Sequence, residues 1–206
     1  MRSRILIATA VLLTIATCAL GNEDEVLTQG AIEQVVSLHV ALNELDPSTE
    51  KEAAYEGLAP VVKSTHDLNY IARFTLNRSW SDLSEDERRL FVDRFETLSI
   101  WLYIDRFSQA KNAVLSIEQL TASHTPSIRG DRAEVNTLID AAERKIPLDY
   151  SLQQTDGDWR IINIIADGVS DLALRRSEYA GIIQDLGFDG LIKHLDQQIL
   201  ELESQQ

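Results

Sequence analysis

The stretch from Trp159 to Leu195 reads WRIINIIADGVSDLALRRSEYAGIIQDLGFDGLIKHL. It joins an apolar strand to an Asp-Gly-Val-Ser turn, an amphipathic helix, a Gly-Phe-Asp-Gly break and a second helix. The stretch offers few groups that could carry catalysis and a large amount of apolar surface. This combination favours a protein that holds an apolar molecule over a protein that breaks bonds.

The region before this stretch changes from helical spacing to period-two alternation near Ala113, which is typical of β-strands. Strands are predicted at 114–116, 134–139, 146–153 and 159–165. The Asp156-Gly157 pair between the last two strands is a hairpin signal. Four mainly antiparallel strands in a meander, backed by helices, make an α+β fold with one covered sheet face.

Helical spacing marks the N-terminal half of the chain. Apolar residues recur at helical spacing over 26–45, and the Asp-Pro-Ser sequence at 46–48 ends that helix. A second helix is expected over 49–63, interrupted near Gly57 and Pro60.

Two capping signals mark the helices that follow. Asp67 is expected to begin a helix that runs to Trp80. Ser84 followed by Glu87 forms a capping-box pattern at the start of a long helix. The apolar stripe of this long helix is wide, consisting of Leu90, Phe91, Phe95, Leu98, Trp101, Leu102 and Phe107.

The N-terminus has the pattern of a signal peptide. Arg2 and Arg4 precede an apolar run of about a dozen residues, which is too short to span a bilayer as a helix. Small residues follow, and cleavage is expected after Gly21. Two alternatives stay open, namely lipid attachment at Cys18, the only cysteine, and an uncleaved N-terminal anchor. After cleavage at Gly21 no cysteine remains, so the core must suffice without disulfides.

The chain is acidic, with a formal net charge of −14. Loss of Arg2 and Arg4 from the 19 basic residues leaves 17 against 33 acidic residues, a net charge of −16. Such a chain repels a phosphate backbone, so nucleic acid is excluded as a partner. No later segment approaches the ~20 apolar residues of a membrane helix. We expect one monomeric domain over 22–206, with helices at about 23–110, the sheet at about 112–168 and two C-terminal helices at about 169–204.

Catalytic and metal-binding motifs are largely missing from the sequence. The four histidines, His39, His66, His124 and His194, do not have metal-ligand spacing, and neither a nucleophile elbow nor a Gly-rich phosphate motif occurs. The best acid–base pair, His66 with Asp67, has a plainer interpretation as a loop histidine beside a helix cap. A Ser-His-Asp triad assembled in space stays open. No cofactor, no metal and no enzymatic activity are predicted.

The aromatic stripe and the isoleucine-rich strand each have two interpretations. Phe91, Phe95, Leu98 and Leu102 at helical spacing are more often plain core than a ligand pocket. Isoleucine occupies both faces of the strand over 161–165, whereas a sheet with one covered face needs only one apolar face. Either helices cover both faces or a cavity wall uses the surplus.

The C-terminal stretch resembles the MlaC-type periplasmic phospholipid-binding proteins, also called toluene-tolerance auxiliary proteins. That family has a Trp-initiated strand, an acidic-Gly-Val-Ser turn, a helix with arginine and an aromatic residue, and then Gly-x-Asp-Gly-Leu. The corresponding residues here are Trp159, Asp167-Gly168-Val169-Ser170, Arg175 or Arg176 with Tyr179, and Gly187-Phe188-Asp189-Gly190-Leu191.

The middle of the chain, 67–107, is similar to the same family through Trp80, Arg88, Phe91, Phe95 and Tyr103. Two positions depart from the pattern. Asn77 stands where the family often has glycine, and Asp171 stands where an apolar residue is usual. We expect Asp171 to cap the helix that follows it.

The resemblance implies a soluble lipid carrier. Such proteins enclose phospholipid acyl chains between a curved, cone-like sheet and a helical layer, with the head group near solvent. They pass phospholipid between an outer-membrane lipoprotein complex and the lipid-binding subunit of an inner-membrane ABC transporter, and so support outer-membrane lipid asymmetry. The residues expected to contact lipid are Phe74, Phe91, Phe95, Leu98, Leu102, Leu148, Tyr150, Ile162, Ile164, Val169, Tyr179 and Ile183.

Three rival hypotheses remain at this stage. The first is a carrier of another apolar lipid, such as a hopanoid. The second is a small envelope hydrolase that uses His66 or a triad. The third is a structural envelope protein with a filled core, in which the apolar stripes are only packing.

Overall fold

The structure is a computed structural model that describes residues 16–46, 48–108, 113–115, 127–141 and 144–204. The helices are α1 (Ala16–Asn43), α2 (Lys51–Thr65), α3 (Leu68–Leu76), α4 (Ser79–Asp82), α5 (Glu85–Ser108) and α6 (Asp171–Ser204). The strands are β1 (Ala113–Leu115), β2 (Ser127–Arg129), β3 (Arg132–Ala141), β4 (Arg144–Thr155), β5 (Asp158–Ala166) and β6 (Val169–Ser170). The predicted α+β order of helices, strands and helices is confirmed.

The N-terminal boundary bears on the expected signal peptide. Residues 1–15 of the expected signal peptide lie outside the described residues, and the description begins at Ala16, the first residue of α1. Within the described part of the chain, no helix is both long and apolar enough to cross a membrane.

Helix α2 runs through Gly57 and Pro60, so the expected interruption there is wrong. Both residues are exposed. The hydrogen bond that proline cannot make is therefore lost on the solvent side, where water can satisfy the carbonyl. Leu58 and Val62 are buried on the opposite side and hold the helix against its neighbours.

Helix α3 is shorter than predicted. The Asp67 carboxylate accepts the Tyr70 N–H at 2.8 Å, which confirms the N-cap. The helix ends at Leu76 rather than at Trp80, because Asn77 has φ 50° and ψ −117°, a backbone conformation that favours glycine. Trp80 lies in the separate short helix α4.

Helix α5 begins with the predicted capping box. The Ser84 N–H donates to Glu87 Oε2 at 2.7 Å, and the Glu87 N–H donates to Ser84 Oγ at 3.3 Å. Phe91 and Phe95 are buried, but Leu90 is exposed, so the prediction that Leu90 belongs to the apolar stripe is wrong. Leu90 precedes Phe91 by one residue, about 100° around the helix, so it faces solvent.

The sheet is antiparallel at every described strand pair, in the order β1-β3-β4-β5-β6, with β2 also paired to β3. Six strands are described where four were predicted, because β2 and β6 are too short, at three and two residues, to show a period. The Asp156-Gly157 hairpin is confirmed. Thr155 pairs with Asp158, and both turn residues have positive φ.

A β-bulge in β5 resolves the surplus of isoleucine. Tyr150 is opposite Ile164, but Leu152 is opposite Ile161, so Ile162 is an extra residue in β5. The bulge reverses the alternation of side chains. Ile161 and Ile164 therefore share the covered face of the sheet with Tyr150 and Leu152.

The two predicted C-terminal helices are the two halves of α6. Gly187, with φ 71° and ψ −175°, divides the helix into segments 171–186 and 188–204. The helix is capped by Ser170, whose Oγ accepts the Ala173 N–H at 3.1 Å. Asp171 is the first helical residue, so the prediction that Asp171 is the cap is wrong.

Candidate functional site

An apolar cavity of about 470 Å³ lies between the covered face of the sheet and helices α3, α5 and the start of α6. Proteins bind small molecules in cavities of this size, about 300–1,000 Å³. The sheet contributes Ile146, Leu148, Tyr150, Ile161, Ile162, Asn163, Ile164, Ala166 and Val169. The helices and the loop before α3 contribute His66, Leu68, Ile71, Phe95, Ser99, Leu102, Tyr103, Arg106, Phe107, Asp171, Leu172, Leu174 and Arg175.

Seven of the twelve predicted lipid contacts line this cavity, namely Phe95, Leu102, Leu148, Tyr150, Ile162, Ile164 and Val169. The structure brings these residues together from α5, β4, β5 and β6. The other five, Phe74, Phe91, Leu98, Tyr179 and Ile183, lie outside the cavity wall.

The residues outside the wall are held by other contacts. Phe91 is fully buried and packs edge-on against Tyr179 of α6, with ring centroids 5.9 Å apart. Leu98 belongs to the same buried core. Phe74 is exposed and stacks on Tyr70. The wide stripe of α5 is therefore divided, because one part packs on α6 and the part that includes Phe95 faces the cavity.

His66 and Asp67 do not form an acid–base pair. His66 is buried, its Nδ1–H donates to the Val62 carbonyl at 3.1 Å, and its Nε2 accepts the Tyr103 hydroxyl at 2.7 Å. Asp67 caps α3 and accepts the Thr155 hydroxyl. Burial lowers the pKa of His66 to about 4, although the Val62 carbonyl acts in the opposite direction. A neutral histidine committed to these bonds is suited to structure rather than to proton transfer at neutral pH.

A second histidine–tyrosine pair lies between α1 and the sheet. His39 Nε2 is 2.5 Å from the Tyr150 hydroxyl, and both residues are buried. The His39 Nδ1 atom is buried without a hydrogen-bond partner in the described part of the chain. Burial lowers the pKa of His39 to about 4, so the ring is neutral at pH 7.

The ionised residues of the cavity wall form one cluster. Arg175 Nε donates to Asp171 Oδ2 at 2.7 Å, and Arg106 Nη1 lies 3.4 Å from Asp171 Oδ1. Burial alone would raise the pKa of Asp171, but Arg175 and Arg106 outweigh burial and hold the pKa below its usual range. Burial alone would lower the pKa of Arg175, but Asp171 and Tyr179 more than offset this effect and raise the pKa.

The family model described as "MlaC protein" matches residues 32–197, which include every element from α2 to β6, the C-terminal part of α1 and most of α6. The chain belongs to the MlaC family. The predicted resemblance is confirmed.

This MlaC family protein is also similar to one curated protein and to one solved structure. The toluene tolerance protein ttg2D of Pseudomonas putida is 21% identical over 187 residues, covering 90% of this chain and 82% of the relative. A phospholipid-binding protein from Ralstonia solanacearum, solved in complex with a phospholipid, superposes with a TM-score of 0.70 and 16% identity. That match covers 85% of this chain and 97% of the other, and it shows that the two share a fold.

The three charged residues of the MlaC-family cavity, Arg106, Asp171 and Arg175, were not predicted as lipid contacts from sequence. Arg106 and Asp171 are 65 positions apart and meet only when α5 packs beside α6. The sequence offered a signal for Arg175, because either Arg175 or Arg176 matches the arginine of the family motif. His66 and Tyr103 gave no local signal of their hydrogen bond. No group of three or more His, Cys, Asp or Glu residues that could hold a metal occurs among the described residues.

Proposed function

We propose that this MlaC family protein is a periplasmic carrier that binds phospholipid by its acyl chains. The observation that carries the proposal is the apolar cavity between the sheet and α3, α5 and α6. Val169 and Leu174 line it and are 50% and 58% exposed, so the cavity has an apolar opening to solvent. The name of the Ralstonia solanacearum relative, a phospholipid-binding protein, supports phospholipid as the cargo.

The energetics favour a carrier that recognises chains by burial. Each methylene removed from water contributes about 0.8 kcal/mol, so a dozen methylenes contribute about 10 kcal/mol before the cost of association. Specific polar contacts to the acyl chains are therefore unnecessary. A filled core would leave no room for the acyl chains. The cavity therefore supports the carrier over the structural protein with a filled core.

The shuttling role is part of the same proposal. The protein would be exported by the signal peptide 1–21, act as a monomer, and pass lipid between an outer-membrane lipoprotein complex and an inner-membrane ABC transporter. Family membership supports this role. Lipid attachment at Cys18 would instead tether the carrier to a membrane.

The proposal also includes binding without catalysis. The hydrogen bonds that His66 makes to Val62 and Tyr103 leave neither ring nitrogen available as a base. This argues against the hypothesis of a hydrolase that uses His66. A hopanoid or another apolar lipid remains an alternative cargo, because an apolar wall accepts many apolar molecules.

The test is lipid loading with two adjacent substitutions in β5. Ile164 lines the cavity, whereas Ile165 is opposite Asp149 on the other face of the sheet. We expect wild-type protein to retain diacyl phospholipid after gentle purification, as detected by native mass spectrometry. Ile164→Asp should lose that lipid because a carboxylate among acyl chains costs several kcal/mol, and Ile165→Asp should keep it.

Circular dichroism and thermal unfolding establish that both variants fold. Retention of normal lipid by folded Ile164→Asp protein would contradict the proposed cavity. A wild-type protein that carries a hopanoid would retain the carrier function and change the cargo. A wild-type protein that is empty and takes up no lipid from phospholipid vesicles would overturn the proposal.

A further inference from the structure

The charged residues that line the cavity carry a net positive charge, although the chain as a whole is acidic. Arg106, Asp171 and Arg175 line the cavity, and together they hold two positive charges and one negative charge. The whole sequence has a formal net charge of −14. The cavity lining therefore has one positive charge in excess, whereas the net charge of the whole chain is negative.

The two arginines differ in how far they are already engaged. The Arg175 side chain is 12% exposed, is bonded to Asp171 at 2.7 Å and lies over the Phe95 ring at 5.3 Å. The Arg106 side chain is 58% exposed, and its contact to Asp171 is long, at 3.4 Å. No other partner of the Arg106 guanidinium occurs among the described residues, so most of its N–H donors are available.

The position of Arg106 suits a head group rather than a chain. Arg106 lies on α5 at the same cavity as the exposed apolar residues Val169 and Leu174. These exposed residues mark the opening of the cavity to solvent, which we call the mouth. A lipid with its chains inside the cavity would have its polar part at this mouth, beside water. The guanidinium presents a planar fork of donors that matches phosphate oxygens and binds them by charge-assisted hydrogen bonds.

We propose that Arg106 binds the phosphate of the lipid head group, and that the ion pair between Arg175 and Asp171 holds Arg106 in position at the mouth. This inference rests on the proposed carrier function and narrows the cargo to lipids with a phosphate. This arrangement explains why Arg106 and Arg175 share the carboxylate of Asp171. Asp171 orients both of them, and one positive charge remains for the ligand.

The test compares two ligands that differ only in the phosphate-containing head group. Dihexanoyl phosphatidylglycerol and dihexanoyl glycerol are titrated into lipid-free wild-type protein, Arg106→Gln and Arg73→Gln. Arg73 is the matched control, because it is an exposed arginine on α3 that does not line the cavity. Thermal unfolding establishes that each variant is folded, as expected for an exposed side chain.

We expect Arg106→Gln to weaken phosphatidylglycerol binding about ten- to hundredfold, the value of one charge-assisted hydrogen bond or a bidentate pair. Binding of dihexanoyl glycerol should not change, and Arg73→Gln should bind both ligands as wild type does. Arg106→Lys keeps the charge without the fork and should give a smaller loss. Added salt should weaken only phosphatidylglycerol binding.

Each failure has its own signature. If Arg106→Gln leaves phosphatidylglycerol binding unchanged, or weakens both ligands equally, Arg106 does not bind the phosphate and this inference is wrong. If wild-type protein binds neither ligand and takes up no long-chain phospholipid from vesicles, the proposed carrier function itself fails.

Discussion

Acidification should destabilise this protein through its two buried histidine–tyrosine pairs. His39 bonds Tyr150 between α1 and the sheet, and His66 bonds Tyr103 at the cavity. Burial lowers both histidine pKa values from 6.5 to about 4. Between these values the unfolded chain binds more protons than the folded chain, so the free energy of unfolding must fall as pH falls.

The magnitude follows from the two pKa values. A histidine with a pKa of 6.5 in the unfolded chain and about 4 in the folded chain loses about 2 kcal/mol of stability between pH 7.5 and pH 5.0. The two histidines together lose about 4 kcal/mol over this interval. The loss grows further as pH falls through about 4. A typical protein has only about 5–15 kcal/mol of stability, so the change is large enough to measure.

The assay is urea unfolding at pH 7.5 and pH 5.0, followed by circular dichroism on lipid-free protein. His39→Gln and His66→Gln should each reduce the difference between the two pH values to about half, whatever each substitution does to stability at pH 7.5. The double variant should show little difference. A wild-type protein that loses less than about 1 kcal/mol, or a double variant that keeps the full loss, would refute the reasoning.

Two further predictions concern backbone features beside the site. Asn77→Gly should raise the free energy of unfolding by about 1 kcal/mol, because glycine adopts the positive φ of this position without strain; no gain in urea unfolding would show that Asn77 is not strained. Ser170→Ala should lower it by about 1 kcal/mol, because the first turn of α6 loses its capping oxygen; an unchanged midpoint would mean that the Asn163 side chain, which also contacts this turn, suffices.

The local features of this fold could be predicted from sequence. The caps at Asp67 and Ser84, the Asp156-Gly157 hairpin and the break at Gly187 all occur where they were expected. Each depends on interactions within about four residues of chain, which are written directly in the sequence. The cap of α6 was misplaced by one residue, because Ser170 and Asp171 are both good capping residues and only the hydrogen bonds distinguish them.

The candidate site was predicted only in part. Helical spacing identified the apolar face of α5, but it does not say whether a helix or an empty space lies opposite each residue. Phe91 meets Tyr179 and becomes core, whereas Phe95, one turn later, also reaches the cavity. Whether an apolar residue of α5 joins the packed core or the cavity wall depends on the angle at which α6 crosses α5. The sequence of α5 alone does not determine this angle.

The sequence by itself determined the class of this protein, namely its α+β order and, through the C-terminal motif, its family. The tertiary structure alone decided which residues form the cavity. A single extra residue, Ile162, reverses the faces of β5, and period-two alternation does not reveal a bulge. Packing of α5 beside α6 brings Arg106 to Asp171 across 65 positions of chain. Local pattern records which residues are apolar or charged, whereas their partners depend on contacts between distant segments that form only when the chain is folded.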